Sequence, residues 1–104
     1  MKTITEETKR ELKEMIYEYF ADECDVDVET LNDETNIIED LDGDSLLFIE
    51  IIEIAKKKYD LDIKLQTVGK YMLKNKVETL GQFVEVFYLI YQHGDEIVNI
   101  GASA

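Results

Sequence analysis

Apolar residues in this chain follow a helical period, and no proline interrupts it anywhere. Side chains three and four residues apart share one face of an α-helix. Near the N-terminus, five apolar side chains recur at these intervals: Leu12, Met15, Ile16, Tyr19 and Phe20. We therefore predict an all-α fold whose first helix covers about residues 5–23, with Thr3 and Glu6 at the spacing of a capping box.

A second helix is predicted from Ser45 to Tyr59. Asp44 precedes it and can accept hydrogen bonds from the free backbone amides of a first helical turn. The segment ends in three lysines at 56–58, whose positive charge suits the negative end of the helix dipole. Its apolar side chains cover more than one stripe, so some of them must face outward.

Two shorter helices complete the prediction. One covers about residues 66–75, and Gly69 weakens it. The other begins at a capping-box pair, Thr79 and Gln82, and stops at Gly94. The side chains expected to face inward are Val68, Tyr71, Met72, Leu80, Phe83, Val84, Phe87 and Tyr91. Because the connection between the first two helices is long and the later ones are short, we expect a small, irregular four-helix bundle.

The connection from Asp25 to Asp44 is rich in Asp, Asn, Thr and Glu. Six isolated apolar residues within it are expected to attach it to the core: Val26, Val28, Leu31, Ile37, Ile38 and Leu41. A loop of this length is uncommon in a small domain and is usually functional.

The length of 104 residues suits a single domain over residues 1–104. We expect its core at about 4–93 and a flexible tail at 94–104. No apolar run reaches the roughly 18 residues of a membrane span, and the N-terminus lacks the pattern of a signal peptide. The single cysteine, Cys24, suits a reducing compartment. We expect a monomer in the cytoplasm.

Charge is distributed unevenly along the chain, whose formal net charge is −13. Every charged residue from Glu14 to Ala55 is acidic, and lysine returns only at 56–58. Such a surface repels nucleic acid, which is therefore excluded as a partner. The acidic stretch either keeps the protein solvated or steers basic partner proteins towards it.

The hexapeptide Leu41–Leu46, with sequence LDGDSL, places a hydroxyl where the acidic loop enters the second helix. A phosphate ester on Ser45 would lie against free backbone N–H groups and the positive end of the helix dipole. Gly43 leaves room for a modifying enzyme to approach the backbone. Taken alone, an Asp-Ser-Leu sequence before an apolar run is more often a simple helix cap.

In its wider context the sequence resembles the acyl carrier protein family from about Leu12 to Gln92. The residues that carry the resemblance are Leu31–Leu41, Gly43–Leu46, Ile49, Glu50, Ile52, Tyr59 and Val77–Phe83. The resemblance implies that a holo-carrier synthase transfers 4'-phosphopantetheine from coenzyme A to Ser45. The arm would then hold acyl groups as thioesters for fatty acid, polyketide or related lipid biosynthesis.

The resemblance also implies a carrier with no catalytic residues of its own and an apolar pocket for the acyl chain. Its partners would be acyl-loading and acyl-processing enzymes that dock on the second helix. The candidate recognition residues are Asp44, Leu46, Leu47, Glu50 and Glu53. The alternative is a module that uses the same acidic helical fold for non-covalent protein interactions.

Three departures from the family pattern indicate a specialised carrier. Leu47 and Phe48 put apolar surface where an acidic or polar residue is usual. The lysines at 56–58 replace glutamates that often follow in the second helix. The segment between Tyr59 and Thr79 is several residues longer than in common members.

Two other site hypotheses lack the residues that their chemistry needs. The spacing of Asp40, Asp42 and Asp44 suggests a calcium loop, but Ser45 and Ile51 occupy the positions where an EF-hand needs Gly and Glu. A hydrolytic Ser45 would need a nearby base, and the only histidine, His93, lies at the predicted end of the last helix.

Overall fold

The computed structural model describes residues 3–41 and 45–97, and this part of the chain is helical, with one isolated bridge between Asn36 and Thr79 and no strand. The predicted all-α fold is confirmed. The α-helices are α1 (Glu6–Glu23), α2 (Ser45–Tyr59), α3 (Leu65–Lys74) and α4 (Leu80–His93). Short 3-10 helices occur at Val28–Thr30 and Gly94–Glu96.

Side-chain hydrogen bonds cap the N-termini of two helices. At α1 the cap is Thr5, whose Oγ1 accepts a hydrogen bond from Thr8 N–H at 3.1 Å. The prediction that Thr3 caps this helix was wrong, because Thr5 has the extended backbone conformation that a capping residue needs. At α4 the predicted capping box is confirmed, since Thr79 and Gln82 exchange side-chain and backbone hydrogen bonds.

A cluster of phenylalanines joins α1, α2 and α4 in the core. Phe83 of α4 lies at its centre, with ring centroids 5.8 Å from Phe20 and 5.0 Å from Phe48. Phe87 contacts Phe83 from the next turn at 4.8 Å. The residues predicted to face inward on α3 and α4 are buried, except that Met72 and Tyr91 are half-buried. Burying these large rings supplies much of the hydrophobic free energy of folding.

The connection between α1 and α2 is held against the start of α4 by backbone hydrogen bonds. Ile37 N–H donates to Glu78 C=O at 2.9 Å, and Leu80 and Gly81 N–H donate back to loop carbonyls at 2.9 and 3.0 Å. Of its six predicted anchors, Leu31, Ile37 and Leu41 are buried, whereas Val26, Val28 and Ile38 are exposed. The prediction was therefore wrong for three of them, because these turns present only one side to the core.

The ordered core continues past the predicted end at residue 93. Gly94 ends α4 with φ of +59°, and a Cβ there would lie 2.7 Å from the Asp62 carbonyl oxygen. The chain then turns through a 3-10 helix, and Ile97 is completely buried in the core. A short tail sequence carries no local signal for this burial. Residues 98–104 of the expected tail lie outside the described part.

No helix in the described residues is both long and apolar enough to cross a bilayer.

Candidate functional site

The candidate modification site lies at the N-terminus of α2. Ser45 is the first residue of this helix, as the sequence predicted. The first backbone N–H groups of a helix have no partners within the helix, and the helix dipole is positive at this end. The position therefore suits a covalently attached phosphate group. The predicted cap and recognition residue, Asp44, lies outside the described residues, as do Asp42 and Gly43.

The first turns of α2 leave large apolar side chains open to solvent. Leu46 is 58% exposed and Ile49 is 43% exposed. By contrast, Leu47 and Phe48 are half-buried and pack against the core. The prediction that part of the apolar surface of this helix faces outward is thus confirmed, and the apolar surface adjoins Ser45.

An apolar groove of about 420 Å³ lies between α2 and α3. Its apolar side chains are Phe48, Ile49, Ile52, Leu65, Val68 and Met72. Gly69 also lines the groove and adds no side chain to fill it, a role that its low helix propensity did not indicate. Ile49 is four residues after Ser45, or about 6 Å along the helix axis. The groove therefore begins close to the modification site.

The predicted recognition residues on α2 do not all share one face. At 100° per residue, Leu46, Glu50 and Glu53 lie within about 60° of one another. Leu47 lies roughly 100° from Leu46 around the helix, and it is half-buried. The structure thus groups two carboxylates with one exposed leucine and turns Leu47 towards the bundle.

Glu50 is held in place by Tyr19, whose spacing in the sequence indicated only a place in the apolar stripe of α1. The Tyr19 hydroxyl donates a hydrogen bond to Glu50 Oε2 at 2.8 Å. Burial, and then this hydrogen bond to a carboxylate, raise the pKa of Tyr19 above its usual value. The two residues are 31 positions apart, so no local sequence signal could have revealed the pair.

The lysines at 56–58 occupy the last turns of the same helix. Lys57 falls on the face of Glu50 and Glu53, because seven residues bring a helix close to two full turns. This face therefore changes from acidic to basic along its length.

In the described part of the chain, no three His, Cys, Asp or Glu side chains are grouped to hold a metal ion. Two of the aspartates in the calcium hypothesis, Asp42 and Asp44, lie outside the described residues. His93 is the last residue of α4, as predicted.

Comparison with known proteins identifies relatives over 59% to 97% of the chain. A family model described as "Phosphopantetheine attachment site" matches residues 14–85. A protein named "Acyl carrier protein homolog" from Clostridium acetobutylicum is 48% identical over 101 residues, covering 97% of this chain and 98% of that protein. An "Acyl carrier protein" from Picosynechococcus sp. is 34% identical over 67 residues, covering 59% of this chain and 83% of that protein.

Proposed function

Because this chain belongs to the acyl carrier protein family, whose cofactor is covalent 4'-phosphopantetheine, we propose that it carries acyl groups as thioesters on an arm attached to Ser45. The observation that carries the proposal is the position of Ser45 as the first residue of α2. The matched family region, residues 14–85, encloses this position.

The start of α2 provides what a phosphodiester needs. Its unpaired backbone N–H groups can donate hydrogen bonds to phosphate oxygens, and the helix dipole favours the negative charge. When bound, the arm supplies a terminal thiol that holds the acyl group. The chain itself positions the arm and presents it to enzymes, and it acts as their substrate without catalysing a reaction.

The apolar groove between α2 and α3 is the proposed shelter for the cargo. Phe48 and Ile49 lie within about one turn of Ser45, so an acyl chain on the arm can fold back onto them. Burying its methylenes there removes apolar surface from water, at about 0.8 kcal/mol per buried CH₂ group. The same burial limits the access of water to the thioester.

The exposed face of α2 is the proposed docking surface for the holo-carrier synthase and for acyl-processing enzymes. Glu50 and Glu53 attract basic partner surfaces, and exposed Leu46 adds apolar contact at the arm. The change of sign at Lys57 would disfavour partners that expect a wholly acidic helix. This supports a carrier specialised for one pathway among fatty acid, polyketide and related lipid biosynthesis.

Intact-mass measurement after incubation with coenzyme A and a broad-specificity phosphopantetheinyl transferase tests the proposal. We expect the wild-type chain to gain one phosphopantetheine group and Ser45→Ala to gain none. Ser103 is the only other serine, so Ser103→Ala is the matched control and should be modified like the wild type. A wild-type chain that stays unmodified would refute the carrier function and favour a non-covalent interaction module.

A further inference from the structure

A second surface groove, of about 470 Å³, runs between α1 and α2. Its apolar floor is formed by Met15 from α1 and by Ile51 and Ile54 from α2. Ile51 is completely buried, whereas Ile54 is 44% exposed. This groove lies on a different face of α2 from the groove shared with α3, and it leaves apolar surface open to solvent between two helices.

Four carboxylates line the α1 side of this groove. They occur at intervals of three, four and four residues and are Glu11, Glu14, Glu18 and Asp22. All four are exposed, and they extend over about 17 Å of helix at 1.5 Å per residue. We call this row the α1 acidic rim.

Within the described residues the α1 acidic rim forms no ion pair, although Arg10 and Lys13 border Glu14 and Glu18 on the other side of α1. Among residues 3–41 and 45–97, the ion pairs are Lys9–Glu6, Lys13–Asp33 and Lys76–Glu78, and none includes a rim carboxylate. Lys58 is the single basic residue that lines this groove in the described structure. Its ammonium nitrogen lies 5.6 Å from the centroid of the Tyr59 ring.

The hydrogen bond from Tyr19 to Glu50 places a further carboxylate beside a residue that lines the groove. Tyr19 lines the groove, and its hydroxyl holds the Glu50 carboxylate at 2.8 Å. The negative potential of the rim therefore continues from α1 onto α2. An apolar floor bordered mainly by carboxylates has the features of a selective protein-binding surface.

We propose that the groove between α1 and α2 is a second docking surface, which takes a basic amphipathic helix of a partner protein. A groove between two packed helices suits a third helix, whose apolar stripe would cover Met15 and Ile54. Lysines or arginines beside that stripe would face the α1 acidic rim. The apolar floor favours such a helix over a small polycation.

A second copy of this chain does not suit the groove, because two copies with a formal charge of −13 each repel one another. The proposed docking surface also does not depend on the arm at Ser45. It would hold a partner on α1 and on residues 50–58 of α2, while the start of α2 and its arm remain accessible.

The test uses the full chain carrying Ser45→Ala, so that modification cannot contribute to binding. The probe is a synthetic helical peptide of about 18 residues, or about 27 Å, with leucines along one stripe and lysines beside it. A peptide of the same composition in scrambled order is its control. Affinity is measured by fluorescence anisotropy at 0.15 M salt, and the contact surface by amide chemical-shift changes.

We expect the shift changes to fall on residues 11–22 of α1 and 50–58 of α2. Changing Glu14→Lys and Glu18→Lys together should weaken binding by about tenfold or more, because each reversal replaces an attraction with a repulsion. The matched control changes the exposed loop residues Glu29→Lys and Glu34→Lys. It alters net charge equally and should weaken binding by less than about threefold.

A second pair of variants tests the apolar floor. Ile54→Ser should weaken binding by about fivefold, because it removes apolar surface that the peptide covers. Ile38→Ser is its control, since Ile38 is an isoleucine 52% exposed in the loop, and it should leave the affinity unchanged. Both positions are solvent-exposed, and circular dichroism checks that each variant is folded.

Three results would overturn the proposal. They are equal losses for the two charge-reversal pairs, equal binding of the scrambled peptide, and shift changes confined to the α2–α3 side. The first two would show attraction by net charge alone, and the third would place the peptide in the other groove. None of them affects the mass test of Ser45, so the two proposals fail independently.

Discussion

The same substitution at two glycines should change stability in opposite directions. A Cβ added at Gly81 would lie 2.8 Å from Asp33 Cβ and 2.9 Å from the Asp33 carbonyl oxygen. A Cβ added at Gly69 would meet no atom within 4 Å. We therefore predict that Gly69→Ala stabilises the protein and that Gly81→Ala destabilises it.

The expected magnitudes follow from propensity and packing. Alanine in place of glycine favours a helix by up to about 1 kcal/mol, so Gly69→Ala should gain about 0.5–1 kcal/mol. At Gly81 the clash should cost about 1–3 kcal/mol. Asp33 cannot simply move away, because its carbonyl accepts the Gly81 N–H at 3.0 Å and a shift would lengthen that bond. Set against a propensity gain of about 0.5–1 kcal/mol, the net effect should be a loss of up to about 2.5 kcal/mol.

Urea unfolding followed by circular dichroism at constant salt measures both variants against the unmodified wild type. In thermal unfolding, 1 kcal/mol corresponds to roughly 4–8 °C for a domain of this size. If Gly81→Ala is as stable as the wild type, the loop does not press on α4 as closely as the structure shows. A destabilised Gly69→Ala would refute the view that this face of α3 has free space.

Four further outcomes are expected. Raising salt or adding divalent cations should raise the melting temperature, because the acidic side chains of residues 14–53 repel one another. A melting temperature that stays constant or falls in a thermal scan would contradict this. Tyr17→Phe removes the hydrogen bond to Asp33 and should lower the free energy of unfolding by about 0.5–1 kcal/mol at pH 7. The loss should lie toward the low end of this range because the Asp33 side chain is 59% exposed. The pKa of Asp33 is lowered first by that hydrogen bond and then by Lys13. The loss of stability should therefore be present above about pH 4 and shrink below it, as measured by urea unfolding. A loss that does not depend on pH would exclude the hydrogen bond to the charged carboxylate as its source. Glu50→Lys should slow modification by the transferase, and less so at high salt, with Glu50→Gln as the control that keeps an acceptor for Tyr19. Changing the lysines at 56–58 to Glu should instead improve turnover by enzymes that serve ordinary fatty-acid carriers, and equal rates for all variants would show that this face does not dock.

The positions of the helices could be predicted from the sequence because their signals are local. The helical period of the apolar residues and the lysines of the last turn predicted α2 at Ser45–Tyr59, as observed. The pairing of Thr79 with Gln82 identified the start of α4, because a capping box lies within one helical turn. The candidate modification site could be located for the same reason, since a motif and a helix start coincide at Ser45.

The contacts that shape the surfaces depended on the tertiary structure. Nothing within a few residues of Tyr19 indicates that it will hold Glu50, and nothing near Gly81 indicates that Asp33 will press against it. Which isolated apolar residues are buried was likewise undetermined: Ile37 is buried, and its neighbour Ile38 is 52% exposed. Helical periodicity specifies which side chains share a face, whereas the partner that covers each face is decided only when distant segments of the chain pack together.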